Sequence, residues 1–207
     1  MCGRYSLGLS WEQLVESWHL ASWPVEPHWT PRWNIAPGQD ILALGPSKEG
    51  ETKAAWVRWG YPLGNRLLIN ARCESLTTKP LFHEAMKSQR TVIPADGFYE
   101  WAPDRRAFRF TAQVPLSIAG LLLRSRQEPI WRVVLITCPA NRWVGDIHDR
   151  MPWLLTPEQV PLWLDRHSTQ YRTLSATELP LTRYAVSPRL NNAQEDTPDL
   201  VLPMPES

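Results

Sequence analysis

Cysteine is scarce in this 207-residue chain, and the three that occur, Cys2, Cys73 and Cys138, lie far apart. That scatter excludes a disulfide framework and a C-x-x-C metal site, so neither a metal nor a cofactor is expected. Long hydrophobic runs are missing too. No uncharged apolar stretch approaches the roughly 18–20 residues that a membrane-spanning helix needs. Arg4 and Glu12 flank no continuous apolar stretch, so the chain start does not have the form of a secretory signal. A cytoplasmic protein with no membrane partner is the expectation. Lysine is also in short supply: of 22 basic residues only 4 are Lys and 18 are Arg. Arginine presents a planar fork that suits phosphate and stacks on bases, although a GC-rich genome gives the same bias.

Tryptophan and proline, by contrast, are abundant, with 12 and 20 copies. Proline at about 10% is roughly twice ordinary usage and favours short strands and ordered turns over long helices. With 43% hydrophobic residues the chain can offset its ordering entropy, which excludes global disorder. The overall charge of +1 hides an asymmetry. Glu195, Asp196, Asp199 and Glu206 lie in an acidic segment over 195–207, so the first 194 residues carry a net +5, a mild pointer to a polyanionic partner.

Three helices are predicted. Ser10 and Gln13 form a capping box ahead of Trp11, Leu14, Val15 and Trp18 at one-face spacing. A second helix begins near Thr78 and buries Leu81, Phe82, Ala85 and Met86. A third begins at Thr156, with Pro157 in the first helical position. Strands are predicted at 41–44, 55–61, 67–72, 91–93, 97–101, 108–111, 116–123 and 131–137. No repeat or linker divides the chain. Strands in series with peripheral helices give an α+β fold, a single compact domain over 1–207 around a curved or barrel-like, mainly antiparallel sheet.

Four groups of residues could carry chemistry. Cys2 follows the initiator Met1, and removal of Met1 would leave a 1,2-aminothiol with an amine of pKa about 7.7–8.0 and a thiol near 8.5. The amine can form a Schiff base with an aldehyde and the thiol can close on the same carbon to give a thiazolidine. With an amide, the thiol could act as an N-terminal nucleophile. The alternative is a small buried hydrophobe at a strand start. Glu100 lies between Tyr99 and Trp101 within 97–101, where burial would raise its pKa towards two-way proton transfer, and solvent exposure would not. His148 lies between Asp146 and Asp149, company that would favour its cation. Arg150 would clamp a phosphate or pair with one of those aspartates. In the strand ending at Arg72, alternation places Asn70 and Arg72 on one face, continued by Glu74. This face holds a carbonyl or phosphate, or is simply the polar side of an edge strand.

The ordered motifs Met1-Cys2-Gly3-Arg4-Tyr5, Trp33-Asn34-Ile35-Ala36-Pro37, Trp59-Gly60, Asn70-Ala71-Arg72-Cys73-Glu74, 94–101 and 147–152 resemble the SOS response-associated peptidase (SRAP) family, from Cys2 to about Leu202. Members process abasic sites in single-stranded DNA. The resemblance implies a covalent thiazolidine cross-link through Cys2. Asn70 would position amine and sugar, Glu100 would act as acid/base, and His148 would assist proton transfer at the sugar hydroxyl. Arg4, Asn34, Pro37, Arg72 and Arg150 would hold the DNA. It further implies a monomer that meets the nucleoid through single-stranded DNA containing abasic sites. An N-terminal-nucleophile peptidase or amidohydrolase, including one that removes its own Met1, is the alternative activity. The sequence departs from the family after Trp59-Gly60, where residues 61–66 replace a longer loop. That leaves Tyr61 or Leu63 as the available apolar wedge.

Overall fold

A computed structural model describes residues 2–21, 29–46, 51–124, 130–176 and 178–205. Its centre is a closed ring of five strands: β3 (Asp40–Pro46), β4 (Thr52–Trp59), β12 (Trp131–Pro139), β11 (Leu116–Arg124) and β8 (Arg90–Ala95). β11 pairs with β8 on one side and β12 on the other, while β12 pairs in parallel with β4, so the ring leaves no free edge. The remaining ring contacts are antiparallel. Short strands β7 (Asn70–Arg72), β13 (Arg150–Pro152) and β14 (Leu154–Leu155) extend this barrel along β12 and β11. All six β8 residues are buried, and β11 and β12 are near-continuous apolar runs, as strands covered on both faces must be.

A second, antiparallel sheet has the order β15 (Thr182–Ala185), β10 (Ala107–Thr111), β9 (Gly97–Trp101), β1 (Tyr5–Leu7), β2 (Arg32–Ile35). It is joined to the barrel by one residue, Asp96, between β8 and β9. Asp96 accepts from the Ser6 hydroxyl, from the Gly8 N–H at 2.8 Å and from Arg109 at 2.9 Å, and its own N–H donates to the Ser6 carbonyl. This half-buried junction locks β1 against β9. A Cβ at Gly97 would sit 2.8 Å from the buried Arg109 guanidinium, which would have to shift. One hydrophobic cluster, from Cys2 and Tyr5 through Trp59 and Val133 to Trp163, runs through both sheets.

The fold class is α+β with a mainly antiparallel, barrel-forming sheet, as the strand series implies. Helix α1 (Trp11–Trp18) carries the expected capping box and buries Leu14 and Trp18. Helix α2 (Pro80–Ser88) begins two residues later than expected, because Pro80 occupies the first turn, where its missing N–H costs nothing. Helix α3 (Gln159–Leu164) also starts late. Pro161 has no N–H to donate to the Pro157 carbonyl, so 157–158 form a turn instead of a helical first turn. Two expected strands are divided. The run over 55–61 breaks at Gly60, whose φ of +104° and close approach to Leu67 suit only glycine. The run over 67–72 splits into β6 (Arg66–Leu68) and β7. β6 pairs with β5 (Tyr61–Leu63) through a Gly64-Asn65 turn, a two-residue hairpin with positive φ at its first position. Leu63 and Leu67 are exposed on this hairpin.

Candidate active site at the chain start

Cys2 is fully buried just ahead of β1. Three other elements reach it. β7 supplies Asn70, whose side-chain N–H donates to the Cys2 carbonyl at 3.1 Å, while its Oδ1 has no partner among the described residues. β7 is held in place because it pairs with β12 and because the Trp59 indole donates to the Ile69 carbonyl at 3.1 Å. β9 supplies Glu100, which is 2% exposed. The turn between β12 and β13 supplies His148 and Asp149.

The electrostatics of these groups are coupled. Burial pushes the Glu100 carboxyl up to about 7; the cationic chain terminus pulls the other way and the Asp149 carboxylate adds a smaller upward push. The Cys2 thiol is held well above the usual thiol range, first by burial and then by Glu100. His148 is held below its ordinary value, mainly by burial and then by the same chain terminus. His148 Nδ1 lies 2.9 Å from the Arg150 backbone N–H and 3.1 Å from both the Arg150 carbonyl and an Asp149 carboxylate oxygen, contacts that fix the ring's orientation. Cys2, Glu100 and His148 are thus coupled through the same terminal charge. Tyr5, which the sequence did not single out, packs on Trp59 with ring centres 5.5 Å apart. Its buried hydroxyl has no partner among the described residues, and its charge would be felt by Cys2. Its place at the end of the Met1–Tyr5 motif, three residues after Cys2, was the available signal.

Several expectations are corrected. Only one flanking aspartate acts on His148: Asp149 lies 3.1 Å from Nδ1 and favours the cation, but burial outweighs it, and Asp146 turns away to Arg183 at 3.2 Å. Arg150 pairs with neither aspartate. It grips both carboxylate oxygens of Glu74, holding that carboxyl down to about 2, and also donates to the Thr137 carbonyl at 2.8 Å. Glu74 does not continue the Asn70 face, because the strand ends at Arg72 and a 3-10 turn over Cys73–Ser75 delivers it. Asn70 and Arg72 differ as well: Asn70 is buried and Arg72 is exposed, with no side-chain partner among the described residues.

The other expected contacts lie along β1 and β2. Arg4 donates to Asn34 Oδ1 and to the Leu190 carbonyl, both at 2.6 Å, and lies 5.9 Å from the Trp101 ring centre. Asn34 is wholly buried and donates to the carbonyls of Leu190, Asn192 and Glu195, so its amide is spent within the chain. Pro37 is half-buried in the turn from β2 to β3. The acidic C-terminal segment is not a loose tail where it is described. Asp196 accepts from the N–H groups of Trp33 and Asn34 and pairs with Arg32 at 2.9 Å. Among the described residues no three His, Cys, Asp or Glu gather to hold an ion, and no helix is long and apolar enough to cross a membrane.

A buried cysteine at position 2, an acid poised near neutrality and an amide on the cysteine carbonyl, set on this barrel, occur in a chain that matches the family model "SOS response associated peptidase (SRAP)" over residues 1–193. The chain belongs to that family. It is 30% identical to the abasic site processing protein YoqW of Bacillus subtilis, over 97% of this chain and 99% of that one. It is 29% identical to the abasic site processing protein YedK of Escherichia coli, over 79% of each. Among solved structures, a phage-related protein from Bordetella bronchiseptica superposes with a TM-score of 0.71 at 27% identity, covering 89% of this chain and 94% of the other. A protein from Bacteroides thetaiotaomicron shares the fold at a TM-score of 0.82 and 19% identity, over 98% and 100% of the two chains.

Proposed function

We propose that this protein, once Met1 is removed, captures abasic sites in single-stranded DNA through Cys2 and ends as a thiazolidine cross-link. The observation that carries the proposal is the meeting of Cys2, Asn70 and Glu100 in one buried site, with the Glu100 carboxyl near 7. An abasic deoxyribose is mostly a closed hemiacetal. Glu100 in its acid form protonates the ring oxygen as the ring opens to the aldehyde, and as carboxylate it takes a proton back. The Cys2 amine then adds to the aldehyde carbon, and the carbinolamine loses water to give a Schiff base. The thiol adds to that same carbon, its proton passing to the nitrogen, and the five-membered ring closes. One water is released overall and nothing is oxidised or reduced.

Asn70 fixes the Cys2 carbonyl and so the direction of the amine, while its free Oδ1 is available to an amine or sugar hydroxyl. His148, oriented through Nδ1 and held below its ordinary pKa by burial, assists proton transfer at the sugar hydroxyl. Exposed Arg72 holds a backbone phosphate, Arg150, whose fork is taken up by Glu74, braces that side of the site, and Arg4, braced by Asn34, supports the strand on the β1 side. With no base at the lesion, recognition rests on the backbone and on stacking, with little sequence preference.

The test is intact-mass measurement after mixing the protein with an abasic-site oligonucleotide. The expected product is the protein without Met1 plus the oligonucleotide, less one water. Cys2→Ala is expected to give no such adduct while still binding the strand, and an undiminished adduct with that variant refutes the proposal.

A further inference from the structure

A cavity of about 440 Å³ opens beside the candidate site, between the turn that follows β7, helix α2 and the 3-10 segment Gln170–Thr173. Its size falls within the roughly 300–1,000 Å³ range of small-molecule pockets. The wall is mostly apolar and aromatic, formed by Leu76, Met86, Trp153, Tyr171 and Leu174. The aromatic side is rigid. Trp163 stands 5.8 Å from Trp153 and edge-on to Tyr171 at 6.4 Å, and the Arg90 guanidinium lies 3.7 Å from the Tyr171 ring centre. Cations stand at the same cavity: Lys87 and His83, which share Glu84, and Arg172, which has no carboxylate partner among the described residues.

The cavity is continuous with the residues assigned to the DNA strand. Cys73 lines it, Arg72 precedes Cys73, and Glu74 after it grips Arg150. A strand held at Arg72 would reach this cavity at the next residue. An abasic nucleotide also leaves its neighbour without a stacking partner on that side, so a protein ring there gains what the missing base forfeits.

We propose that this cavity receives the base of the nucleotide adjoining the lesion, on one side only, with Arg172 and Lys87 on the adjoining phosphate. The proposal rests on the reading of the site as one that holds abasic single-stranded DNA. The wall fits the flat faces of a base, the cations fit its backbone, and a plain hydrocarbon ligand would leave Arg172 unanswered. Stacking of this kind tolerates any base, so the subsite adds affinity and polarity without sequence preference.

The experiment uses single-stranded oligonucleotides with a tetrahydrofuran lesion analogue, which has no aldehyde and reports non-covalent binding by fluorescence anisotropy. The lesion is flanked by thymines, or by a baseless spacer on its 5′ side or on its 3′ side. Removing the base on one side is expected to weaken binding roughly fivefold or more, and removing the other is expected to change it little. The asymmetry is expected to vanish in Thr77→Trp, which plugs the mouth, and in Arg172→Glu. Equal effects on both sides, no effect on either, or an asymmetry that survives both variants overturns the subsite. Failure of the wild-type protein to yield a covalent adduct with a true abasic oligonucleotide is a separate result, and it overturns the underlying function instead.

Discussion

Replacing Glu100 by Gln keeps the shape of the side chain and removes its titration, so it separates what the carboxyl does for catalysis from what it costs the fold. In the unfolded chain a Glu has a pKa near 4.3–4.5. In the folded protein burial raises it to about 7. The folded state therefore binds the proton more tightly than the unfolded state. The stability tied to that proton is fully present below about pH 4.5 and is lost as pH rises through 7. A shift of about 2.5 units at 1.36 kcal/mol per unit is about 3 kcal/mol. Denaturant unfolding is expected to show wild type and Glu100→Gln nearly equal near pH 4.5. The variant is then expected to become more stable by about 3 kcal/mol at pH 8, or roughly 6–12 °C in Tm for a chain of this length. Adduct formation is expected to move the opposite way: about a hundredfold slower or more in the variant, with strand affinity nearly unchanged and the pH dependence near 7 gone. A stability difference that does not vary with pH, or equal losses of rate and affinity, refutes the assignment of Glu100 as a buried proton carrier.

Two further outcomes follow from the same structure. Arg72→Ala is expected to weaken single-strand binding alike across sequences and to lower the salt slope by about 0.7, the value for one phosphate contact on a single strand; a changed sequence preference would contradict a backbone role. Asp196→Ala leaves the Trp33 and Asn34 N–H groups without their side-chain acceptor and removes the ion pair to Arg32 Nε, so a loss of about 2–3 kcal/mol is expected in equilibrium unfolding, and a neutral result would show that the acidic segment does not brace β2.

What the sequence determined by itself is what depends on neighbours a few residues apart. The capping box at Ser10, the apolar face of α2 and the long strands of the barrel were legible because helix and strand periods are local. The ordered motifs likewise marked Cys2, Asn70, Glu100 and His148 as the residues to examine. Tertiary structure decided the rest. Short strands such as β1 and β13 carry too few residues to show a period, and they exist because the longer strands β9 and β12 offer them a partner. Whether Glu100 faced water or core depended on the sheet's curvature, and its two-residue alternation was silent on that point. Charge partners were the least legible. Asp149 lies next to Arg150 in sequence, yet a turn 76 residues away brings Glu74 to that guanidinium, because a salt bridge is set by where side chains end and not by where they are attached.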